Sequence, residues 1–240
     1  MNTKGFHYIK TSSLEKDIFL KGNSHLYLVG SFSFLGGNLM AKFEKFRDVS
    51  LPDPDRYTYF EQLEKRTIWL VDEIDDSLYS VIAKIIQFNK EDEGVEFYDR
   101  QPIKIIVASP GGLADNARSL VSIIKISQTP IHTIAIGQVA SAASMIFLAG
   151  HKRIALDNSY FIFHNGGCEN LSGTFAEMQA FMDNYVHEIE ELSAFYKEYT
   201  SYDPDYIDQK LKEGDWYIRI DEALENGIVD EVTDDITTFY

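Results

Sequence analysis

Two hydrophobic periods alternate along this chain from Tyr57 onward, and the alternation leaves few architectures open. Thr67-Ile-Trp-Leu-Val71, Ile103 to Ala108 and Ile131 to Ile136 are mainly apolar, β-rich runs of strand length. Between them the apolar positions fall at helical spacing: Leu78, Ile82, Ile85 and Ile86, with Asp75 or Asp76 placed to cap, then Leu113, Ala117, Leu120, Val121 and Ile124 before Pro130. The third run is expected to enter a helix at Gly137-Gln138, and Arg153 to Leu156 and Tyr160 to Phe163 read as two more short strands. Thr174-Phe-Ala-Glu177 is a capping box opening the clearest helix. Phe175, Met178, Met182, Tyr185, Ile189, Leu192 and Tyr196 give it one apolar stripe, with Asp183, Glu188 and Glu191 elsewhere on its surface. Asp221 to Asp230 reads as a short helix ending at Gly227 before a last strand. Strand and helix in repeated succession predict an α/β fold.

Residues 1–56 lack this regularity, and Pro52, Asp53, Pro54 and Asp55 punctuate the chain at their end. The reading is an amino-terminal extension over 1–56 and one domain over 57–240, which suits a chain of 240 residues. Twenty-two Lys and Arg against 38 Asp and Glu leave a net charge of −16. Such a surface repels phosphate backbones and anionic lipid, so nucleic acid and membrane are not expected partners. The single cysteine, Cys168, forms no intrachain disulfide and rules out a zinc site of several thiolates. The amino terminus lacks a signal-peptide layout, and the uncharged stretch Leu26 to Ala41 is short for a membrane span. A soluble, cytoplasmic protein is expected, with neither cofactor nor metal.

Three places join a strand end, a turn and chemically useful groups. Ser109-Pro-Gly-Gly112 opens a helix, where amides and the dipole suit a phosphate or a developing oxyanion, although a plain strand-to-helix turn has the same look. No Lys-Ser or Lys-Thr follows, which excludes a Walker A loop. Gly137-Gln-Val-Ala-Ser-Ala-Ala-Ser144 exposes a serine among small residues, a pattern that close helix packing also favours. His164 ends an apolar strand, where an imidazole serves either as a general base or as a structural group.

Taken together and in order, these landmarks resemble the proteolytic subunit of the Clp protease family. Leu156 to His164 fits that family's Leu-x-Asn-Ser-x-x-x-x-His, and Asp215 precedes Glu222-Ala and Asn226-Gly-Ile-Val-Asp230 at its spacing. The resemblance runs from Tyr57 to Val232. It implies a Clp/crotonase-like fold of repeated β-β-α units forming a globular head, with a long protruding handle helix. It implies a serine endopeptidase in which Ser141 is the nucleophile, His164 the general base and Asp215 the acid that orients the imidazole. Ser144 fits the nucleophile position less well than Ser141. The amides of Gly112 and Ala142 take the oxyanion-hole positions. The implied partners are further copies of the chain, in a heptamer or stacked rings, an ATP-dependent Clp-type unfoldase, and polypeptide substrates.

Departures from the pattern matter as well. Ala142 stands where Clp subunits usually carry Met, Asn165-Gly166 replaces Gln-Pro, and Trp216 replaces an Arg that helps join two rings. Ser141-Ala-Ala-Ser144, His164-Asn165 and Trp216 are similar to phage head-maturation proteases of Clp type. A catalytically silent ring subunit with a scaffold or regulatory role would lack one of Ser141, His164 and Asp215, and none is lost. A crotonase acting on acyl-CoA shares the fold without needing the three together.

Overall fold

The structure is a computed structural model that describes residues 61–167 and 172–239, together with the backbone of six strands before residue 61. Cys168 and residues 52–55 lie outside the described residues. The chain divides into two compact units, Met1–Glu61 and Gln62–Tyr240. In the first, the strands are β1 (Phe6–Ile9), β2 (Asp17–Lys21), β3 (His25–Val29), β4 (Ser33–Leu35), β5 (Asn38–Met40) and β6 (Val49–Ser50). They make an antiparallel sheet in the order β1-β2-β3-β6 and a β4-β5 pair.

The second unit follows a helical stretch at residues 61–64 (α1) with β7 (Thr67–Leu70), α2 (Leu78–Glu91), β8 (Ile103–Ser109), α3 (Ala114–Ile126), β9 (Ile131–Ala140) and α4 (Ala142–Leu148). It continues through β10 (Lys152–Ala155), β11 (Tyr160–Phe163), α5 (Phe175–Tyr199), α6 (Pro204–Glu213), β12 (Trp216–Arg219), α7 (Ile220–Glu225) and β13 (Glu231–Val232). β7, β8, β9, β10 and β13 pair side by side in parallel. β9 is long enough to serve two neighbours on one flank: Lys152–Ala155 pair with its first half, and Tyr160–Ile162 with Gln138–Ala140. β12 closes that flank antiparallel to β11. The mixed α/β architecture is the one the alternating periods predict.

Both faces of the central strands are covered, as continuous apolar runs require. Ile105 and Val107 look into the main core with Leu120, Ile124, Phe147 and Phe161, whereas Ile106, Ile134 and Ile154 form a smaller cluster joined by Ile136 and Phe239. Helix α2 buries Leu78, Val81, Ile85 and Phe88 but leaves Ile86 53% exposed, because each residue turns the helix by about 100° and carries Ile86 off the core face. Asp75 accepts from the Ser77 N–H at 2.8 Å, while Asp76 accepts from Asn116 Nδ2 at 3.1 Å.

The strand expected to end at Ile136 instead runs on to Ala140, and no helix starts at Gly137. Gly137 takes a positive φ of 144° and donates its N–H to Ser159 Oγ at 3.2 Å, which bends the strand while β11 captures its second half. Helix α6 and strand β12 add to the expected elements; Asp203 caps α6 by accepting from the Asp205 and Tyr206 N–H groups with Pro204 at its start. In α5 the capping box forms as expected: Thr174 Oγ1 accepts from the Glu177 N–H, and the Glu177 carboxylate accepts from the Thr174 N–H at 2.7 Å. Its stripe is only rooted, not covered. Among the described residues of this helix only Ser193 and Tyr196 are buried, and Phe175 is 79% exposed.

His151 closes the turn after α4 by accepting the Ile131 N–H on Nδ1 at 2.9 Å and donating its own N–H to the Ile131 carbonyl at 2.8 Å. Burial holds its imidazole below the ordinary histidine value of 6.5. Burial, assisted by Lys152 and Lys104, does the same to His132. Rings held neutral in the folded state contribute full stability above pH 6.5, and that contribution is lost as pH falls through their lower folded values. The melting temperature is expected to drop between pH 7 and pH 5, roughly the range in which histidines titrate, and to drop less steeply in His151→Asn. Parallel thermal melts across that range check this.

Candidate active site

The site grows from the end of β9. Ala140 pairs with Ile162, and the next residue, Ser141, donates its N–H to the Ile162 carbonyl at 3.0 Å. Ser141 then turns sharply into α4 with φ 53° and ψ −128°, a strained conformation for a side chain to adopt. Strand-to-helix turns of this kind lift the hydroxyl clear of the sheet edge.

The glycine turn after β8 presses against this elbow. Gly111 has φ 99° and Gly112 has φ 148°. A Cβ at Gly111 would sit 2.6 Å from Ser141 Cβ and 2.7 Å from the Ala140 carbonyl, and one at Gly112 would run into the Ile74 carbonyl. Ile74 pins the turn from the other side, donating its N–H to the Gly111 carbonyl at 2.7 Å and accepting from the Leu113 N–H at 2.8 Å. The Gly112 N–H donates to no described protein group, and the Ala142 N–H, first in its helix, has no intrahelical acceptor. Both residues border the same cavity as Ser141.

One residue beyond the last paired positions, the sheet register brings the other two groups in. Phe163 lies opposite Trp216 on antiparallel β11 and β12, so His164 and Asp215 follow as opposed neighbours. His164 Nε2 is 2.7 Å from Ser141 Oγ. Its Nδ1 is 3.5 Å from Asp215 Oδ1, longer than a well-formed hydrogen bond. The Asp215 side chain is 58% exposed. Ser141, His164 and Asp215, far apart in sequence, thus stand in one line beside Gly112 and Ala142.

Ser144, the other serine of the motif, is buried and engaged. Its Oγ donates to the Ser141 carbonyl at 2.6 Å and lies 3.2 Å from the Tyr196 hydroxyl. Burial raises the Tyr196 phenol well above its ordinary value, so it stays protonated. The root of α5 therefore connects through two hydroxyls to the backbone of the elbow. Behind His164, Asn165 Nδ2 donates to the Leu211 carbonyl at 2.8 Å, and Tyr185 donates to the Gly166 carbonyl at 3.2 Å. Trp216 is buried, edge-on to Phe163 at 5.7 Å and to Tyr202 at 4.7 Å. An aromatic box thus encloses the position next to Asp215.

A cavity of about 240 Å³ opens beside these groups. Besides Ser141, Ala142, His164 and Gly112, it is bounded by Leu113, Arg118, Met145, Tyr185, Glu188 and Leu192. The sequence spacing puts Leu113 on one face with Ala117 and Leu120, puts Glu188 away from the apolar stripe of α5, and does not single out Arg118. Leu113 is instead exposed toward this space as the residue preceding α3. The missed signal was spacing: Ala114 and Arg118 lie one turn apart on α3, as do Tyr185, Glu188 and Leu192 along α5. Among the described residues no cluster of His, Cys, Asp and Glu is arranged to hold a metal, and no helix is long and apolar enough to cross a membrane.

The family model for Clp protease matches residues 53–235, most of the chain. The chain belongs to the Clp protease family. It is 28% identical over 177 residues to ATP-dependent Clp protease proteolytic subunit 1 of Thermobifida fusca (strain YX), spanning 72% of this chain and 77% of that protein. A mutant ClpP1 from Listeria monocytogenes has the same fold, with a TM-score of 0.64 at 20% identity over 76% of this chain and 99% of that one. Family membership supports a ClpP-type peptidase, a hydrolase of peptide bonds.

For a Clp protease fold, the contact between Gly111 and the elbow is steric and leaves no slack. Gly111→Ala is expected to cost about 2 kcal/mol or more, through both the positive φ and the collision with Ser141. Urea unfolding of the variant beside the parent measures this.

Proposed function

We propose that this chain is a serine endopeptidase whose nucleophile is Ser141, with His164 as general base and Asp215 as the group that orients the imidazole. The observation that carries the reading is the 2.7 Å approach of His164 Nε2 to Ser141 Oγ. A serine hydroxyl attacks an amide only as its proton leaves, and an imidazole at that distance takes it. Asp215, facing Nδ1, favours the tautomer that keeps Nε2 free to accept and stabilises the imidazolium that forms. The tetrahedral oxyanion would receive the Gly112 and Ala142 N–H groups, and each such donor is worth roughly 2.7–4 kcal/mol of barrier. The imidazolium then returns its proton to the departing amine, and water repeats the sequence on the acyl-enzyme.

The wider setting belongs to the same proposal. Residues 57–240 form the peptidase and residues 1–56 an extension of it. The apolar, mostly exposed first half of α5 suits burial against further copies of this chain, which supports a self-compartmentalised ring. The chain carries no phosphate loop, so unfolded polypeptide would be delivered by a separate ATP-driven unfoldase, in a cytoplasmic setting. A maturation protease that acts on assembling capsid or scaffold protein without ATP is the second reading. It is favoured by Trp216, a buried indole where the Arg that helps join Clp rings usually stands.

Ser141→Ala is expected to lower kcat for a fluorogenic peptide by about 10⁶-fold and to abolish labelling by a fluorophosphonate. Ser144→Ala keeps the label, because its hydroxyl is buried. Asp215→Asn should lower kcat by about 10²-fold or more, short of the roughly 10⁴-fold loss typical of a tightly bonded buried aspartate, since Asp215 is exposed and 3.5 Å away. Light scattering on the intact protein should return several chain masses. A monomer would remove the ring, and labelling in Ser141→Ala would remove the nucleophile.

A further inference from the structure

The cavity beside Ser141 has a charge pattern that an apolar pocket would not carry. Its walls are partly aliphatic: Leu113 precedes α3, Met145 lies on α4 and Leu192 on α5. Two charged side chains share the lining, Arg118 from α3 and Glu188 from α5. They are not equivalent. The Arg118 guanidinium, 28% exposed, donates to Asp115 at 3.1 Å and faces Glu191 at 3.8 Å, so two carboxylates already balance it. Glu188 receives only the neutral Asn184 amide, at 2.7 Å, and no cation pairs with it among the described residues. Three carboxylates thus stand against one guanidinium, and the uncompensated one borders the cavity.

Position relative to the reacting atoms says whose side chain enters. A carbonyl under attack by Ser141 Oγ, with its oxygen toward Gly112 and Ala142, places the residue that owns that carbonyl in the space those three groups border. The leaving amine departs toward His164, which must protonate it. His164 borders the same cavity, but Gly112 and Ala142, on the oxyanion side of Ser141, line it too, which assigns it to the residue on the amino side of the scissile bond.

We propose that Glu188 makes this pocket select Lys or Arg at that residue. The methylene stem packs along Leu113, Met145 and Leu192, and the cationic tip meets the Glu188 carboxylate. A low-dielectric wall strengthens that pairing, and the chain's net charge of −16 draws cationic segments toward it. Arg118 disfavours nothing further, because Asp115 and Glu191 hold its charge, and an acidic side chain would face the surplus of carboxylates.

This inference rests on the proteolytic reading, and two measurements separate their fates. The first is cleavage by the intact protein of fluorogenic peptides that differ only in carrying Lys, Arg, Leu or Glu before the scissile bond. Lys and Arg are expected to exceed Leu in kcat/KM by about tenfold, and Glu188→Gln to erase that ratio. Glu188→Lys should invert it in favour of Glu, which a merely structural role for Glu188 would not do. Equal ratios in the parent and in Glu188→Gln, or a parent that prefers Leu, overturn the proposal. The second is binding of the same peptides to Ser141→Ala, read by fluorescence anisotropy, which needs no turnover. Preferential binding of Lys and Arg peptides without cleavage by the parent would keep the pocket assignment and sink the protease; cleavage with no such preference would do the opposite.

Discussion

Two backbone segments meet at Ser141 with no room for a side chain between them. The elbow needs a strained φ, and strain of that kind survives only where the surroundings allow no alternative. Here they do not: β11 holds the Ser141 N–H, Ser144 holds its carbonyl, and the Gly111-Gly112 turn, itself clamped by Ile74, blocks the space into which the elbow would relax. The same crowding leaves the Gly112 and Ala142 N–H groups at the cavity. The preorganised electrostatics of the site and the packing of the turn are therefore one arrangement.

The helices α3, α4 and α5 share the work unequally. α4 is wholly buried and fixes Ser141, whereas α5 buries only Ser193 and Tyr196 among its described residues. From that root a line of hydroxyls reaches the elbow through Tyr196 and Ser144. Apolar burial at the root and exposure along the rest follow from one sequence stripe, because a stripe records which face is apolar and not what covers it.

Much of the fold was legible because strand and helix periods are local signals: the runs at Thr67, Ile103 and Tyr160 and the helices at Leu78 and Thr174 stand where patterning puts them. The errors have physical causes. β9 was cut short because Gly137 looks like a stop, yet the strand passes through it once Ser159 satisfies its N–H and β11 supplies a second partner. β12 was passed over because Trp216 to Arg219 alternates buried and exposed for only four residues, too short a run to register. Only motif order joins Ser141, His164 and Asp215 in the sequence, since no local rule says that β11 and β12 will place residues 164 and 215 opposite each other. Arg118 and Glu188 were invisible as a pair because the cavity joins two helices distant in sequence.

The double service of β9 has a consequence for how this chain can change. Its first half is registered against β8 and β10, and its second half against β11, with Ser141 one step beyond. The register already shifts between Ala135 and Val139, opposite Val107 and Ser109, so length is held most tightly from Gln138 to Ala140, where β11 fixes it. A single-residue insertion or deletion there would turn every following side chain to the opposite face and carry the serine out of reach of its histidine. Over this stretch the spacing is as tightly constrained as the residue types, so related chains should vary in composition here far more readily than in length.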